Sequence, residues 1–300
     1  MQTPSPPAVA FDYDRAFSRN LGWVSAAEQA VLRKSRVAIA GMGGVGGQHL
    51  LALARLGIGN FNIADFDRFE VHNFNRQAGA FMSRVGQPKV DVMAEMAEDI
   101  NPEAGIRRFP EGVTPDNVDD FLDGVGVYVD GLDFFAIEAR RMVFARCHAK
   151  GIPAVTAAPL GMGTALLCFL PGAMSFEQYF RVEGHDRQEQ FARFIAGLSP
   201  AMLQMGYLKV PEAVSFHEQR GPSTAMACEL CAGVVGTTVL KLLLKRGKVK
   251  AAPWGMHFDA YRQKFSHTWR PFGNAHPMQR VLLKFIRPKM RLGPAQPKKA

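Results

Sequence analysis

Short apolar runs alternate with longer amphipathic stretches along the first 170 residues of the chain. The apolar runs predict strands at residues 36–40, 61–65, 106–109, 125–129, 152–156 and 164–170. Helices are predicted between them, at residues 26–34, 45–56, 88–100, 114–124 and 130–150. Strands that alternate with helices at this spacing indicate an α/β fold, with a mostly parallel sheet covered by helices on both faces.

The second half of the chain has a less regular pattern. Periodicity breaks down between Pro171 and Pro222, which predicts a long insertion containing a helix near residues 188–198. Small residues followed by leucines then predict a strong helix over residues 223–244, and residues 257–268 predict a β-hairpin or an edge strand. The Pro- and Lys-rich end, residues 288–300, is expected to be disordered.

The charge of the chain is unevenly distributed. Its 300 residues are 47% hydrophobic and 21% charged, as in an ordinary globular protein, with a net charge of +9. Residues 241–300 hold 15 basic residues against one acidic residue, Asp259, whereas the preceding residues have a balance of −5. This basic segment is either a solvated surface or a patch for RNA, a negative partner protein or a membrane surface.

Three features favour a cytoplasmic protein. The first ten residues lack the basic and apolar regions of a signal peptide. Apolar runs such as residues 234–244 are too short or too interrupted to span a membrane, so no membrane span is expected. Four cysteines without an export signal are typical of a reducing compartment.

A glycine turn follows the first predicted strand. Gly41, Gly43 and Gly46 form a G-x-G-x-x-G motif, with Gly44 inside it. Glycines allow the backbone to approach a phosphate closely, and the helix N-terminus behind them offers free N–H groups. Asp65 follows Gly41 by 24 residues, near the spacing at which an acid binds a ribose hydroxyl in NAD(P)-dependent enzymes.

The residues after Asp65 favour a triphosphate over a dinucleotide. Asp67 is followed by the sequence Asn-Phe-Asn-Arg-Gln, which contains Asn73, Arg76 and Gln77, and then by Gly-Gln-Pro-Lys, which ends at Lys89. Guanidinium and ammonium groups stabilise the charge that builds on a pyrophosphate leaving group when an α-phosphorus is attacked.

These motifs give the chain a specific resemblance. G-x-G-G-x-G, D-x-D, N-x-x-R-Q, G-x-P-K and D-x-x-D occur in an order similar to that of the ThiF/MoeB/HesA superfamily, whose adenylating fold is shared with ubiquitin-activating enzymes. The resemblance implies a Rossmann-like fold that binds ATP and Mg²⁺. It also implies attack by a substrate carboxylate on the α-phosphate, giving an acyl-adenylate and pyrophosphate.

The resemblance also implies roles for individual residues. Asp65 would hold the adenosine ribose, and Asn73, Arg76 and Lys89 would contact the phosphates. Asp133 would carry Mg²⁺ near the triphosphate, a role suited to a hard oxygen ligand.

Arg19 matches the family arginine that reaches the triphosphate from a neighbouring subunit, which implies a homodimer. We expect the chain to divide into a disordered arm (1–10), an ATP-binding adenylation core (11–170), a substrate-side insertion (171–222), a helix with edge strands that complete the core (223–270) and a basic tail (271–300).

Several of these residues have a simpler interpretation. Asp67 and Asn75 could merely cap their loop, and Asp130 could form a turn. Arg19 could be an ordinary surface arginine. The same interpretation is disfavoured for Arg76 and Lys89, because the motif around them is intact.

The number and positions of the cysteines limit zinc binding and thioester formation. Family members with structural zinc carry two C-x-x-C pairs, whereas here only Cys228 and Cys231 form one, so structural zinc is not expected. The insertion also lacks a cysteine for a thioester. Cys228 or Cys231 could serve as that nucleophile or could simply pack the start of a helix.

Three functions are compatible with the sequence. The first is adenylation of a carboxylate, on the C-terminus of a small ubiquitin-like or sulfur-carrier protein or on a peptide. The second is a tRNA threonylcarbamoyladenosine dehydratase, because residues 52–59 and 113–118 resemble segments of TcdA and the basic tail could contact tRNA. The third is a non-catalytic nucleotide-binding partner subunit, which the retained site residues disfavour.

Overall fold

The central strand of the sheet divides the core into two halves. The computed structural model describes residues 10–216 and 219–291. In strand β1 (Arg36–Ala40), Val37 and Ile39 belong to one apolar cluster, whereas Ala38 and Ala40 belong to the other. Alternate residues of a strand point to opposite faces, so β1 is buried on both sides and reads as a continuous apolar run.

Eight strands form one mixed sheet, in the order β3-β2-β1-β4-β5-β6-β7-β8. The seven strands besides β1 are β2 (Asn60–Ala64), β3 (Gly105–Phe109), β4 (Val127–Asp130), β5 (Ala154–Leu160), β6 (Gly163–Phe169), β7 (Trp254–Asp259) and β8 (Lys264–Trp269). Neighbouring strands from β3 to β5 are parallel, as predicted. Strands β5 to β8 pair antiparallel. For β5 and β6 the reason is local, because only Gly161 and Met162 connect them and a two-residue turn permits no crossover.

Helices cover both faces of this sheet, which confirms the predicted fold class. One face packs α2 (Ala26–Lys34), α3 (Gly44–Arg55), α4 (Lys89–Ile100) and α9 (Ala225–Leu243). The other packs α5 (Val118–Phe121), α6 (Ile137–Lys150), α7 (Phe176–Phe180), α8 (Arg187–Leu198) and α10 (Pro277–Arg291). The short α1 (Tyr13–Ala16) precedes them.

Two predicted helices are shorter than expected. The helix predicted over residues 114–124 is reduced to the single turn α5. The helix predicted over residues 130–150 begins only at Ile137. The Asp130 carboxylate accepts from the Leu132 N–H and the Asp133 carboxylate accepts from the Phe135 N–H, and such local bonds compete with helix formation.

Helix α9 requires a correction to the sequence analysis. By length and composition alone, this helix, with a mean hydropathy of 1.6, could cross a membrane, whereas the apolar runs were expected to be too short or too interrupted to do so. Its buried side chains include Cys228, Cys231, Val235 and Val239, which recur at helical spacing. This face packs against α3, β5 and β6, as in the core helix of a globular domain.

The end of the chain is more ordered than predicted. Disorder was expected from Pro288 onward, but residues 288–291 form the last turn of α10. The remainder of the predicted tail and the first nine residues of the predicted arm lie outside the described residues.

Candidate active site

The parallel strands β2, β1 and β4 are neighbours in the sheet, and hydrogen bonds join the segments at their carboxyl ends. The N–H of Gly41, after β1, donates to Ala64 O at the end of β2 (2.7 Å). The N–H of Gly131, after β4, donates to Ala40 O (2.8 Å). The strand order reverses between β1 and β4, and ligands of open α/β sheets bind at such switch points.

The glycines of the turn allow the backbone to close on itself. Gly41 has a φ of +87°, and a Cβ there would lie 2.3 Å from Gly131 O. A Cβ on Gly46 would lie 1.7 Å from Gly41 O, so no other residue fits. Helix α3 starts here with Gly43 as its N-cap, and the N–H of Gly47 is the first to donate into the helix. The N–H groups of residues 44–46 are therefore free at the N-terminus of the helix, a position suited to an anion.

Asp65 is oriented by the backbone around it. Its Oδ2 accepts from the N–H of Met42 in the glycine turn (2.6 Å), and its Oδ1 accepts from the N–H of Asp67 (2.7 Å). Burial raises the pKa of this carboxyl, and the two backbone hydrogen bonds oppose that rise. Each oxygen keeps a second lone pair that a ligand hydroxyl can reach.

Lys89 and Asp67 form an ion pair at the start of α4. Lys89 Nζ lies 3.0 Å from Asp67 Oδ2, and the Lys89 N–H donates to Asp67 O. The Lys89 side chain is 8% exposed, whereas that of Asp67 is 54% exposed. Asp67 thus pairs with the Lys89 ammonium group from the solvent side. This ion pair is a role beyond capping the loop, which was the simpler interpretation of Asp67.

Two residues of the N-x-x-R-Q motif, Arg76 and Gln77, lie beside the glycine turn. Asn73 is buried, and its Oδ1 accepts from the Glu70 N–H, so part of this side chain stabilises its own turn. Arg76 passes beside Gly44, with its Cγ 3.5 Å from the position of a Gly44 Cβ. Gln77 lies near Gly43, and within the described residues its buried Oε1 has no hydrogen-bond partner.

The start of helix α9 is a part of the site that the sequence did not predict. The side-chain amide of Asn75 donates to Ser223 O (2.9 Å), and the Thr224 hydroxyl donates to Gly161 O (3.1 Å). Cys228 Sγ lies 3.1 Å from the position of a Gly44 Cβ. Asn75 thereby ties the N-x-x-R-Q loop to α9, and no local pattern in the sequence signals a contact over 148 residues.

The cysteine contacts favour packing over nucleophilic catalysis. Cys228 is buried, and burial raises the pKa of its thiol, which keeps the thiol protonated. Cys231 contacts the Thr164 hydroxyl (3.2 Å). Cys147 and Cys168 are buried in α6 and β6. Among the residues that the structure describes, no three His, Cys, Asp or Glu side chains cluster to hold a metal ion.

Asp133 is exposed on the loop after β4. Its Oδ1 accepts from the Phe135 N–H (2.9 Å), and this hydrogen bond orients the carboxylate group. Mg²⁺ commonly takes one or two protein carboxylates and completes its shell with water and substrate phosphates. A single exposed carboxylate on the loop that follows Gly131, which is bonded to the end of β1, fits that requirement.

A buried arginine, also missed in the sequence, shapes the Asp133 loop. Arg140 Nε lies 2.8 Å from Asp130 Oδ2, and the two side chains are only 3% and 2% exposed. The Arg140 guanidinium also donates to Leu132 O (2.7 Å) and Asp133 O (3.1 Å). Asp130 therefore stabilises the Asp133 loop through Arg140, in addition to the turn that the sequence analysis considered for it.

Arg19 is remote from the glycine turn of its own chain. It is exposed on a 3₁₀ turn, and the side chain of its neighbour Asn20 donates to Leu56 O. Leu56 caps the far end of α3, about 18 Å from the turn at 1.5 Å per residue. The structure of one chain therefore does not bring Arg19 to the site, and its action from a neighbouring subunit stays a prediction.

A profile of the ThiF family matches residues 17–281, which is most of the chain. The chain belongs to the ThiF family. The resemblance drawn from the sequence motifs is thereby confirmed, and ThiF-family relatives are named as adenylyltransferases.

Two curated relatives illustrate the range of the ThiF family. The tRNA threonylcarbamoyladenosine dehydratase of Bacillus subtilis is 36% identical over 141 residues, covering 47% of this chain and 55% of the relative. The sulfur carrier protein ThiS adenylyltransferase of Escherichia coli is 29% identical over 189 residues, covering 62% of this chain and 73% of the relative. The chain spans about half the length of the dehydratases that it matches.

Solved structures share the ThiF-family fold. E. coli MccB with MccA-N7isoASN superposes with a TM-score of 0.65 at 18% identity, over 86% of this chain and 72% of that chain. E. coli TcdA in complex with ATP superposes with a TM-score of 0.58 at 22% identity, over 79% of this chain and 98% of that chain.

Proposed function

We propose that this chain is an ATP-dependent adenylyltransferase, which converts a carboxylate into an acyl-adenylate and releases pyrophosphate. The observation that carries the proposal is that three kinds of group follow the carboxyl ends of the parallel strands. These groups are the N–H groups of residues 44–46, the cations of Arg76 and Lys89, the carboxylate of Asp65 and the carboxylate of Asp133.

Each group has a distinct task in this proposal. Asp65, held by two backbone N–H groups, accepts from the ribose and places the nucleotide across the turn. The helix N–H groups, Arg76 and Lys89 neutralise the phosphates, and they stabilise pyrophosphate as it leaves. Asp133 is the ligand for Mg²⁺, which would screen the triphosphate against the approaching carboxylate. Arg19 of a second copy would add another cation, so we propose a homodimer.

A peptide or small-protein carboxylate is the substrate class we favour. The match to the ThiS adenylyltransferase extends over 62% of the chain, against 47% for the B. subtilis dehydratase. The superposition on MccB, whose structure contains a MccA-derived ligand, likewise covers more of this chain than that on TcdA does. All described cysteines are free thiols, which suits a reaction in the reducing cytoplasm.

The alternative substrate is tRNA that carries threonylcarbamoyladenosine. The higher identity to the dehydratase, 36% against 29%, supports this candidate, as does the positive charge after residue 240. The threonyl group of that nucleoside also carries a carboxylate, so the same site could activate it. A non-catalytic role is disfavoured by the retained cations and carboxylates.

ATP–pyrophosphate exchange tests the proposal. We expect exchange with peptides that end in a free carboxylate or with ThiS, and no exchange with C-terminally amidated peptides. Asp133→Ala should abolish it, whereas Asp116→Ala, at an exposed aspartate, should not. If modified tRNA is the only carboxylate that supports exchange, the alternative substrate is correct. Exchange with none of these, or exchange unchanged in Asp133→Ala, contradicts the proposal.

Nucleotide binding is also expected to weaken as the pH falls. Burial raises the pKa of Asp65, so the carboxyl takes up its proton at a higher pH than an exposed aspartate does. The protonated form accepts hydrogen bonds poorly, and affinity therefore falls as the pH drops through that pKa. Titrating the binding of a fluorescent ATP analogue against pH checks this. Asp65→Asn serves as the control, and a wild-type profile as flat as the variant's contradicts the expectation.

A further inference from the structure

The segment between β6 and α9 packs against the turn that connects β5 to β6. The 3₁₀ turn Leu203–Tyr207 belongs to this segment, and the Tyr207 hydroxyl accepts from the Met162 N–H at 2.7 Å. Gly161, the other residue of the β5–β6 turn, has a φ of +62°, and a Cβ there would clash with the Tyr207 hydroxyl. The two segments therefore fit together closely at this point.

A buried carboxylate holds the same hydroxyl from the other side. Tyr207 donates to Asp259 Oδ2 at 2.6 Å, and Asp259 lies fully buried at the end of β7. Burial, together with the hydrogen bond to Asp259, raises the pKa of Tyr207 to about 12, so the hydroxyl keeps its proton at neutral pH. Tyr207 thus joins the end of β7 to the β5–β6 turn, donating to one and accepting from the other.

The β5–β6 turn holds the start of α9. The hydroxyl of Thr224, the N-cap residue, donates to Gly161 O at 3.1 Å. The preceding residue, Ser223, accepts through its O from the Asn75 side-chain amide at 2.9 Å. One peptide bond separates Gly161 from Met162, and one separates Ser223 from Thr224. The position of Asn75 therefore depends on the position of the β5–β6 turn.

Asn75 connects this series of contacts to Arg76. Its Oδ1 accepts from Arg76 Nη1 at 2.8 Å, while its Nδ2 donates to Ser223 O. One end of the amide is thus anchored and the other orients the guanidinium. The second hydrogen bond of Arg76, to His72 O, lies within its own loop. The Asn75 contact is therefore the one that ties the guanidinium to a distant part of the chain.

We propose that Tyr207 is a positioning residue for Arg76 in adenylation. It fixes the β5–β6 turn and the start of α9, and through Asn75 it fixes the direction in which the Arg76 guanidinium points. This inference rests on the proposed function for the task of Arg76, which is to stabilise the leaving pyrophosphate. The contacts themselves require neither ATP nor catalysis.

The kinetics of ATP–pyrophosphate exchange in Tyr207→Phe test the proposal. Phenylalanine keeps the ring but leaves the Met162 N–H without its acceptor and Asp259 without one donor, so the turn loses its fixed position. We expect kcat to fall about tenfold, the cost of one unsatisfied buried group. The KM for ATP should change little, because Arg76 acts mainly in the transition state.

Tyr261→Phe is the matched control for Tyr207→Phe. The Tyr261 ring stacks on that of Tyr207, with centroids 4.5 Å apart, but its side chain is 60% exposed. We expect its kcat to stay within about twofold of wild type, as for other surface substitutions. Equal values of kcat in the two phenylalanine variants overturn the proposal.

A double-variant cycle separates positioning from general damage. If Tyr207 acts through Arg76, Tyr207→Phe should lower the exchange rate much less in an Arg76→Ala background than in wild type. Asn75→Ala, at an exposed residue, should reproduce the loss, and it provides the second variant if Tyr207→Phe folds poorly. Combining Tyr207→Phe with Asn75→Ala should be no worse than the larger single loss. Losses that multiply independently in these cycles overturn the proposal.

Hydrogen–deuterium exchange without ATP measures the contact series directly. We expect the backbone amides of residues 73–77 to exchange faster in Tyr207→Phe than in wild type or Tyr261→Phe. Faster exchange that stays confined to residues 203–207 overturns the proposal. Wild type without pyrophosphate exchange would contradict the proposed function, whereas a normal kcat in Tyr207→Phe contradicts only the positioning role, so the two failures are distinguishable.

Discussion

Arg76→Ala is expected to lower the rate of ATP–pyrophosphate exchange by about 10²–10³-fold, the loss typical of removing one donor to a developing charge. The Arg76 guanidinium reaches the start of α3 and is oriented by two acceptors, Asn75 Oδ1 (2.8 Å) and His72 O (3.1 Å). Both bonds use the same terminal nitrogen, so the remaining N–H groups of the fork can face a phosphate.

The stability of the fold should change little in this variant. Arg76 is partly exposed, and its two hydrogen bonds lie within its own loop. Its removal therefore leaves no buried charged group without a partner. Arg76→Lys should recover only part of the rate, because an ammonium group retains the charge but loses the planar fork.

Arg84→Ala is the matched control for Arg76→Ala. Arg84 lies in the following turn and pairs with Glu95 at 2.8 Å, away from the glycine turn. We expect its exchange rate to stay within about threefold of wild type, since exposed ion pairs contribute little. Equal losses in the two alanine variants, or a normal rate in Arg76→Ala, would show that Arg76 does not act on the phosphates.

The sequence predicted those parts of the site that depend on local chain geometry. A glycine turn between a strand and a helix requires residues without a Cβ, and Gly41 and Gly46 prove to approach other backbone atoms too closely for any side chain. Asp65 directly follows β2 and therefore had to lie beside that turn. Strand and helix periodicity sufficed to predict both elements.

Contacts between distant segments could not be predicted in this way. Asn75 meets Ser223, and Cys228 packs near Gly44, only because α9 returns to the same face of the sheet as α3. Periodicity describes each helix but not the neighbour it packs against. Arg140 was missed for the same reason, since a buried arginine in a helix looks like any surface arginine until its partners are known.

Arg140→Met is expected to lower the free energy of unfolding by about 3–5 kcal/mol, the cost of removing one partner of a buried ion pair. Asp130 would retain Thr156 Oγ1 (2.7 Å) and the Leu132 N–H (3.2 Å) but would keep an uncompensated charge in the core. The carbonyl groups of residues 132 and 133 would lose their donor as well. Urea unfolding of the variant and wild type measures the difference.

The loop that carries Asp133 should lose its position in the same variant. Arg140 also stacks against Phe194 of α8, with its guanidinium carbon 4.6 Å from the ring centroid, so it joins the Asp133 loop to α8. We therefore expect ATP–pyrophosphate exchange to fall in the fraction of Arg140→Met that stays folded. Arg140→Lys should restore part of the stability but less of the rate, because one ammonium group does not reach both the carboxylate and the two carbonyls.

A double-variant cycle separates the ion pair from general damage to the core. Asp130→Asn combined with Arg140→Met should be more stable than the sum of the two single losses implies, because no buried charge is left without a partner. Arg146→Met is the control on the same helix: Arg146 pairs with Asp119 at the surface, where its side chain is 44% exposed, and its loss should cost at most about 1 kcal/mol. A loss in Arg140→Met no larger than this control, or strictly additive losses in the cycle, would show that the buried pair does not organise the Asp133 loop.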